Sequence, residues 1–213
     1  MNDLTQNRYL QSSFDWIREN YIKIILVFLL LSSLFSWIFY RNFLQEENSK
    51  EASILFDEFN FILNNENIDL DKLSSLQERT KKDFPDQIYS ILMNLEMSQL
   101  DYKSNNFQDS LIRLREVNTE LEKRGNETSF LKDLSRLRLA LLLLSENELI
   151  EAKEVLDKDF TFFEELKYEF LGDLEIKSSN NMAAKENYEA ALDLSSSEIH
   201  RELIKIKLST VFN

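Results

Sequence analysis

An all-α chain is expected here, for three reasons. Only two Gly and one Pro punctuate 213 residues, too few for the turns of a sheet protein. Apolar residues recur at the three- and four-residue intervals of a helix face through the long C-terminal part. Near the N-terminus a run of hydrophobic residues carries no charge at all.

The composition narrows the function before any motif is considered. With no Cys, the chain has no disulfide, no thiolate zinc site and no thiol nucleophile, and the single His200 has no imidazole companion for a metal. Against 38 Asp+Glu stand 25 Lys+Arg, a net charge of -13, which opposes general binding of nucleic acid because phosphate contacts need a basic surface.

The uncharged run is "IILVFLLLSSLFSWIFY", residues 24–40. At ~1.5 Å per helical residue it covers about 25 Å, near the lower limit for crossing a bilayer core. Lys23 and Arg41 can snorkel at its ends, and Trp37 and Tyr40 suit an interface. A cleaved signal peptide would finish in small residues, whereas this run finishes Trp37, Ile38, Phe39, Tyr40, Arg41. A retained single transmembrane helix is therefore expected. Arg8, Arg18 and Lys23 precede it, while Arg41 and Lys50 follow among Glu46, Glu47 and Glu51. That mild bias puts residues 1–23 in the cytoplasm and exports residues 41–213. Within the tail, Phe14, Ile17 and Tyr21 fall on one side of a potential amphipathic helix.

The exported part divides into helical pairs. In "LGDLEIKSSNNMAAKENYEAALDL" a small residue, Gly172, follows Leu171, and a second, Ala184, comes twelve places later with Tyr188 and Ala191 beyond it. This is the tetratricopeptide pattern, in which small residues let helices A and B cross closely and an aromatic fills the space beside the crossing. Glu175 and Ser196 stand where the pattern has an aromatic and a proline. Ala140 and Ala152 take the small places of the preceding unit, and Ser98 and Ser110 those of the one before. Each unit carries Ser and Asn at its internal turn: "SNNF", "SENEL" and "SSNNM".

Hairpins are thus expected at about 50–80, 87–120, 130–160 and 162–195, with a capping helix over 197–212. The first lacks the signature residues and ends at Phe84-Pro85. The whole is an all-α fold: an N-terminal single transmembrane helix followed by a tetratricopeptide-like helical-hairpin array, an α-solenoid.

Helix A of each unit normally lines the groove of such an array. Leu134, Leu137, Leu141 and Leu144 share that face of one helix A, with Gln99 and Tyr102 on another and Glu169 and Asp173 on a third. Two readings stand for the leucines. They cradle a partner segment, or another part of the chain, the first hairpin or the C-terminal helix, covers them as core. His200 reads as a surface residue. Glu164 and Glu165 have no companion base, metal-ligand spacing or phosphate loop, so no catalytic residue, cofactor or metal site is expected.

A short tail, one anchor and a repeat domain of this size, with "LKYEFLGDLEIKSSNNMAAKENYEAAL" and "IHRELIKIKL" near the C-terminus, resemble the ancillary SecYEG translocon subunit family, the YfgM-like proteins. The resemblance implies a bacterial inner-membrane protein. It also implies a periplasmic domain that associates with the translocon and with a membrane-anchored, prolyl-isomerase-like chaperone, and it carries no catalytic positions. An adaptor for cytochrome c maturation or outer-membrane protein assembly, or a membrane-tethered stress-response regulator, remains the alternative.

Overall fold

A computed structural model describes residues 3–65 and 67–211, with the side chains of residues 1–17, 19 and 24 outside that description. Among the described residues, all regular structure is helical: α1 (Asp3–Leu63), α2 (Leu70–Asp83), α3 (Tyr89–Lys103), α4 (Phe107–Glu122), α5 (Ser129–Ser145), α6 (Leu149–Leu156), α7 (Glu164–Lys177), α8 (Asn181–Leu194) and α9 (Glu198–Thr210), with one 3-10 turn, Asn126–Thr128. The chain forms two compact units that divide between Ile54 and Leu55.

The first unit is a single helix, because α1 continues without a break through the apolar run. From Ile25 to Tyr40 nearly every large apolar side chain is exposed. A surface of that kind is stable in lipid and unstable in water. It is one helix long and apolar enough to cross a membrane. Inside it, the Ser32 hydroxyl donates to the Phe28 carbonyl at 2.8 Å, so the polar group is satisfied within the helix. The Arg41 guanidinium lies 5.8 Å from the Trp37 ring centre. The tail stripe expected at Phe14 and Ile17 lies outside the described side chains.

No helix begins near residue 50, where the first hairpin was expected. Its first arm is the end of α1, where Leu55, Phe59 and Ile62 are buried. The sequence shows no breaker between the apolar run and these residues, so nothing ends the helix. The second arm, α2, opens on Asp69, whose carboxylate accepts from the Lys72 N–H at 3.0 Å, and stops at Phe84, before Pro85.

The three following hairpins turn in one way. Asn105, Asn147 and Ser179 all take left-handed backbone, φ 60°, 63° and 61°. In each turn the next N–H reaches back to the last turn of helix A: Asn106 to Asp101, Glu148 to Leu143 and Asn180 to Glu175, each at 2.8 Å. This six-residue closure satisfies carbonyls that the helix end leaves free, and Asn tolerates the backbone it needs. Three identical closures are direct signs of a repeat.

Small residues mark each crossing. Ala140 and Ala152 are fully buried. Ser98 and Ser110 are buried as well, and the Ser110 hydroxyl donates to the Ser98 carbonyl at 2.8 Å, tying α3 to α4. At the third crossing, a Cβ on Gly172 would stand 2.4 Å from the Tyr188 ring. Ala184 and Ala191 are fully buried beside it, and Leu171 is half-buried.

The main core runs from Ile91 on α3 to Leu174 on α7 and takes most of its volume from α4, α5 and α6. A smaller cluster, Ala184, Tyr188, Ala191, Ile204 and Val211, joins α8 to α9. Ion pairs stitch successive hairpins: Arg115 on α4 holds Glu151 on α6 through two bonds of 2.8 and 2.6 Å.

Candidate functional site: a groove between α3, α4 and α5

Two places concern the residues singled out from the sequence. The first is a cavity of about 230 Å³ lined by Ser98, Gln99 and Tyr102 of α3, Ser110 and Leu114 of α4, and Arg138, Leu141 and Leu142 of α5. Its floor is the small-residue crossing, where Ser98 and Ser110 leave room. Its rim is formed by Gln99, Tyr102 and Leu141, all exposed, with about half of the Leu141 side chain open at 52%. Tyr102 is held from behind by Phe107, ring centres 5.5 Å apart, so its ring is placed before anything binds. Three residues expected at a partner surface, Gln99, Tyr102 and Leu141, therefore meet in one groove.

The rest of the leucine stripe does not join them. Leu137 and Leu144 are 4% and 3% exposed and belong to the main core, and Leu134 is half-buried. Of the two readings left open for the stripe, Leu137 and Leu144 take the core one, which corrects their place among partner-binding residues. The cause is the position of α5, which packs against α4, α6 and α7 and so buries more than one face. Of the four, Leu141 alone is exposed.

The second place is between α7 and α9, and it corrects two further expectations. Glu169 is 5% exposed. Its carboxylate is 2.7 Å from both Lys207 Nζ and His200 Nε2. Asp173 accepts from the Tyr188 hydroxyl at 2.7 Å and from Lys207 at 2.7 Å. These carboxylates hold α9, so they do not await an outside partner. His200 is likewise no surface histidine: a carboxylate can only accept, so Nε2 carries the proton, while Nδ1 lies 2.9 Å from the Ser195 hydroxyl.

Electrostatics make the second place a lock. Burial alone would raise the Glu169 pKa, but hydrogen bonds from Lys207 and His200 outweigh it and hold the carboxyl below the usual range. Burial would likewise lower Lys207, and its bonds to Asp173 and Glu169 raise it instead. Burial, aided by the Asp173 bond, pushes the Tyr188 phenol up. Glu169 and Lys207 are thus held in the states that bind α9, and Tyr188 in the state that ties α8 to α7.

A larger cavity, about 420 Å³, lies at Lys81, Pro85, Asp86, Ser90, Glu120, Lys123 and Arg124. Two of its three cations are engaged: Lys81 pairs with Glu116 and Glu120, and Arg124 donates to the carbonyls of Pro85, Asp86 and Gln87. Among the described residues no group of His, Asp and Glu side chains is arranged to hold a metal ion.

A family model described as a tetratricopeptide repeat-like domain matches residues 15–213. The chain belongs to this family. No curated protein and no solved structure matches it. Tetratricopeptide repeat-like domains typically serve as non-enzymatic scaffolds that bind other proteins, and an open groove between the A helices of neighbouring units suits that role. Sequence reasoning missed Arg138 and Leu142 in this groove. Arg138 stands four residues after Leu134 and three before Leu141, a spacing that places it beside the same stripe.

Proposed function

We propose that the protein is a non-enzymatic scaffold of the bacterial inner membrane that associates with the SecYEG translocon and links it to a membrane-anchored, prolyl-isomerase-like chaperone, helping exported proteins mature. Its N-terminus is cytoplasmic and its tetratricopeptide repeat-like unit periplasmic. The groove at Gln99, Tyr102 and Leu141 takes an apolar segment of the partner. That groove is the observation that carries the reading. It offers mostly apolar surface from Leu114, Leu141 and Leu142, polar groups from Gln99 and Arg138, and a placed aromatic, the arrangement common to peptide-binding grooves. The exposed apolar helix supports the anchor, and the sequence resemblance supports the translocon as the assembly served.

The full-length protein, purified in mild detergent from its own membranes, should bring down translocon subunits and the membrane-anchored chaperone. Tyr102→Ala with Leu141→Ser should lower that recovery several-fold with only a small fall in the thermal midpoint, because each side chain is about half exposed. Recovery of neither partner, or recovery indifferent to both substitutions, contradicts the reading.

A further inference from the structure

The last helix of a stacked array normally shows solvent a polar outer face, which ends the stack and keeps it soluble. α8 follows the rule over most of its length, with Lys185, Glu186, Glu189 and Asp193 exposed and apolar exposure confined to Met182 and Leu194 at its two ends. α9 departs from it. Its inner face is buried through Ile204 and Val211, and Lys207 turns towards Glu169 and Asp173. On the adjoining flank, about 100° round the helix, Ile199 is 86% exposed, Leu203 46% and Ile206 62%. At 3.6 residues per turn these three fall within about 60° of one another and form a single stripe. α9 therefore carries an open apolar edge.

We propose that this stripe joins two copies of the chain, paired antiparallel through α9 about a twofold axis at Leu203. The spacing is self-complementary. With Leu203 meeting its counterpart, Ile199 of one copy lies against Ile206 of the other, so each apolar side chain finds an apolar neighbour. The charges agree with this orientation. Glu202 and Lys205 flank the stripe on one side and pair at 2.6 Å within the helix. An antiparallel partner brings its own pair to the same flank in reversed order, setting Glu202 of each copy beside Lys205 of the other. Parallel pairing would instead ask Glu202 to meet Lys207, which is already held inward by two carboxylates. Three side chains per copy make a small contact, below the roughly 1,200 Å² of a standard stable interface. Its strength therefore depends on two copies sharing a membrane, which raises their effective concentration.

The absence of Cys from the sequence permits a clean test on the full chain in its own membranes. Under mild oxidation, Leu203→Cys should give a disulfide-linked dimer several-fold more abundant than Glu189→Cys on α8. Ile199→Cys and Ile206→Cys should each link poorly alone and well when co-expressed. Lys205→Glu added to Leu203→Cys should reduce the dimer, and Glu202→Lys with Lys205→Glu should restore it. Tyr102→Ala should leave every one of these results unchanged, which separates this contact from the groove. Leu203→Cys linking no better than Glu189→Cys, equal linking by all three stripe positions alone, or linking to a different polypeptide would each overturn the proposal.

Discussion

Gly172 shows how one residue can hold a crossing. A Cβ placed there would overlap the Tyr188 ring, whose hydroxyl is fixed on Asp173 and whose body fills the α8–α9 cluster. The ring has nowhere to go. Gly172→Ala should therefore destabilise the protein by about 1–3 kcal/mol despite the better helix propensity of Ala. That loss lowers the thermal midpoint by roughly 2–4 °C per kcal/mol. Tyr188→Phe, which keeps the ring and loses a bond to a carboxylate that Lys207 still pairs, should cost about 1.5 kcal/mol, the low end for a bond to a charged group. Thermal unfolding of both variants checks both costs, and a neutral Gly172→Ala would show that the crossing is looser than described. This site was legible in the sequence because the pattern itself specifies a small residue before an aromatic. The pairing of Glu169 with His200 was not, since it joins residues 31 apart and periodicity is silent on contacts between elements.

At the scale of the element, ion pairs to α7 hold α9 alongside the apolar cluster it shares with α8, so its docking should depend on pH at both extremes. Glu169 has a folded pKa below its ordinary 4.5. Its contribution is present above that value and is lost as pH falls through the folded one. Lys207 has a folded pKa above its ordinary 10.5. Its contribution is full below that value and is lost as pH rises through the folded one. The Tyr188 phenol, raised from 10.0, acts in the same direction as Lys207. Protection of the α9 amides, taken relative to the intrinsic exchange rate at each pH, should thus be greatest between those limits and fall beyond each, while α5 stays protected. Equal protection of α9 at all pH values would remove the ionic lock. For α5, the sequence showed the helix and its leucine stripe but not the number of faces it would bury. Leu137, Leu141 and Leu144 have the same chemistry and nearly the same direction on the helix. Only the packing of α4, α6 and α7 around them decides that two are core and one is open.

Across the molecule, the sequence's local signals carried furthest. Ser and Asn at three turns marked three closures with the same backbone, and an uncharged run marked a helix exposed over its apolar length. The end of the apolar helix was less legible: α1 runs on past residue 50 because no Gly or Pro interrupts it, and Asn48 and Ser49, which could cap a new helix, stay inside it. Tertiary features were hidden almost wholly, among them the groove, which is assembled from α3, α4 and α5. The account stands on that groove being a binding surface. Photocrosslinking groups installed at Leu141 and, separately, at buried Leu137 of the full-length protein in intact membranes test it most directly. Adducts with translocon or chaperone subunits should form from position 141 and be absent from position 137. Equal yields from both, or none of these partners from position 141, would contradict it.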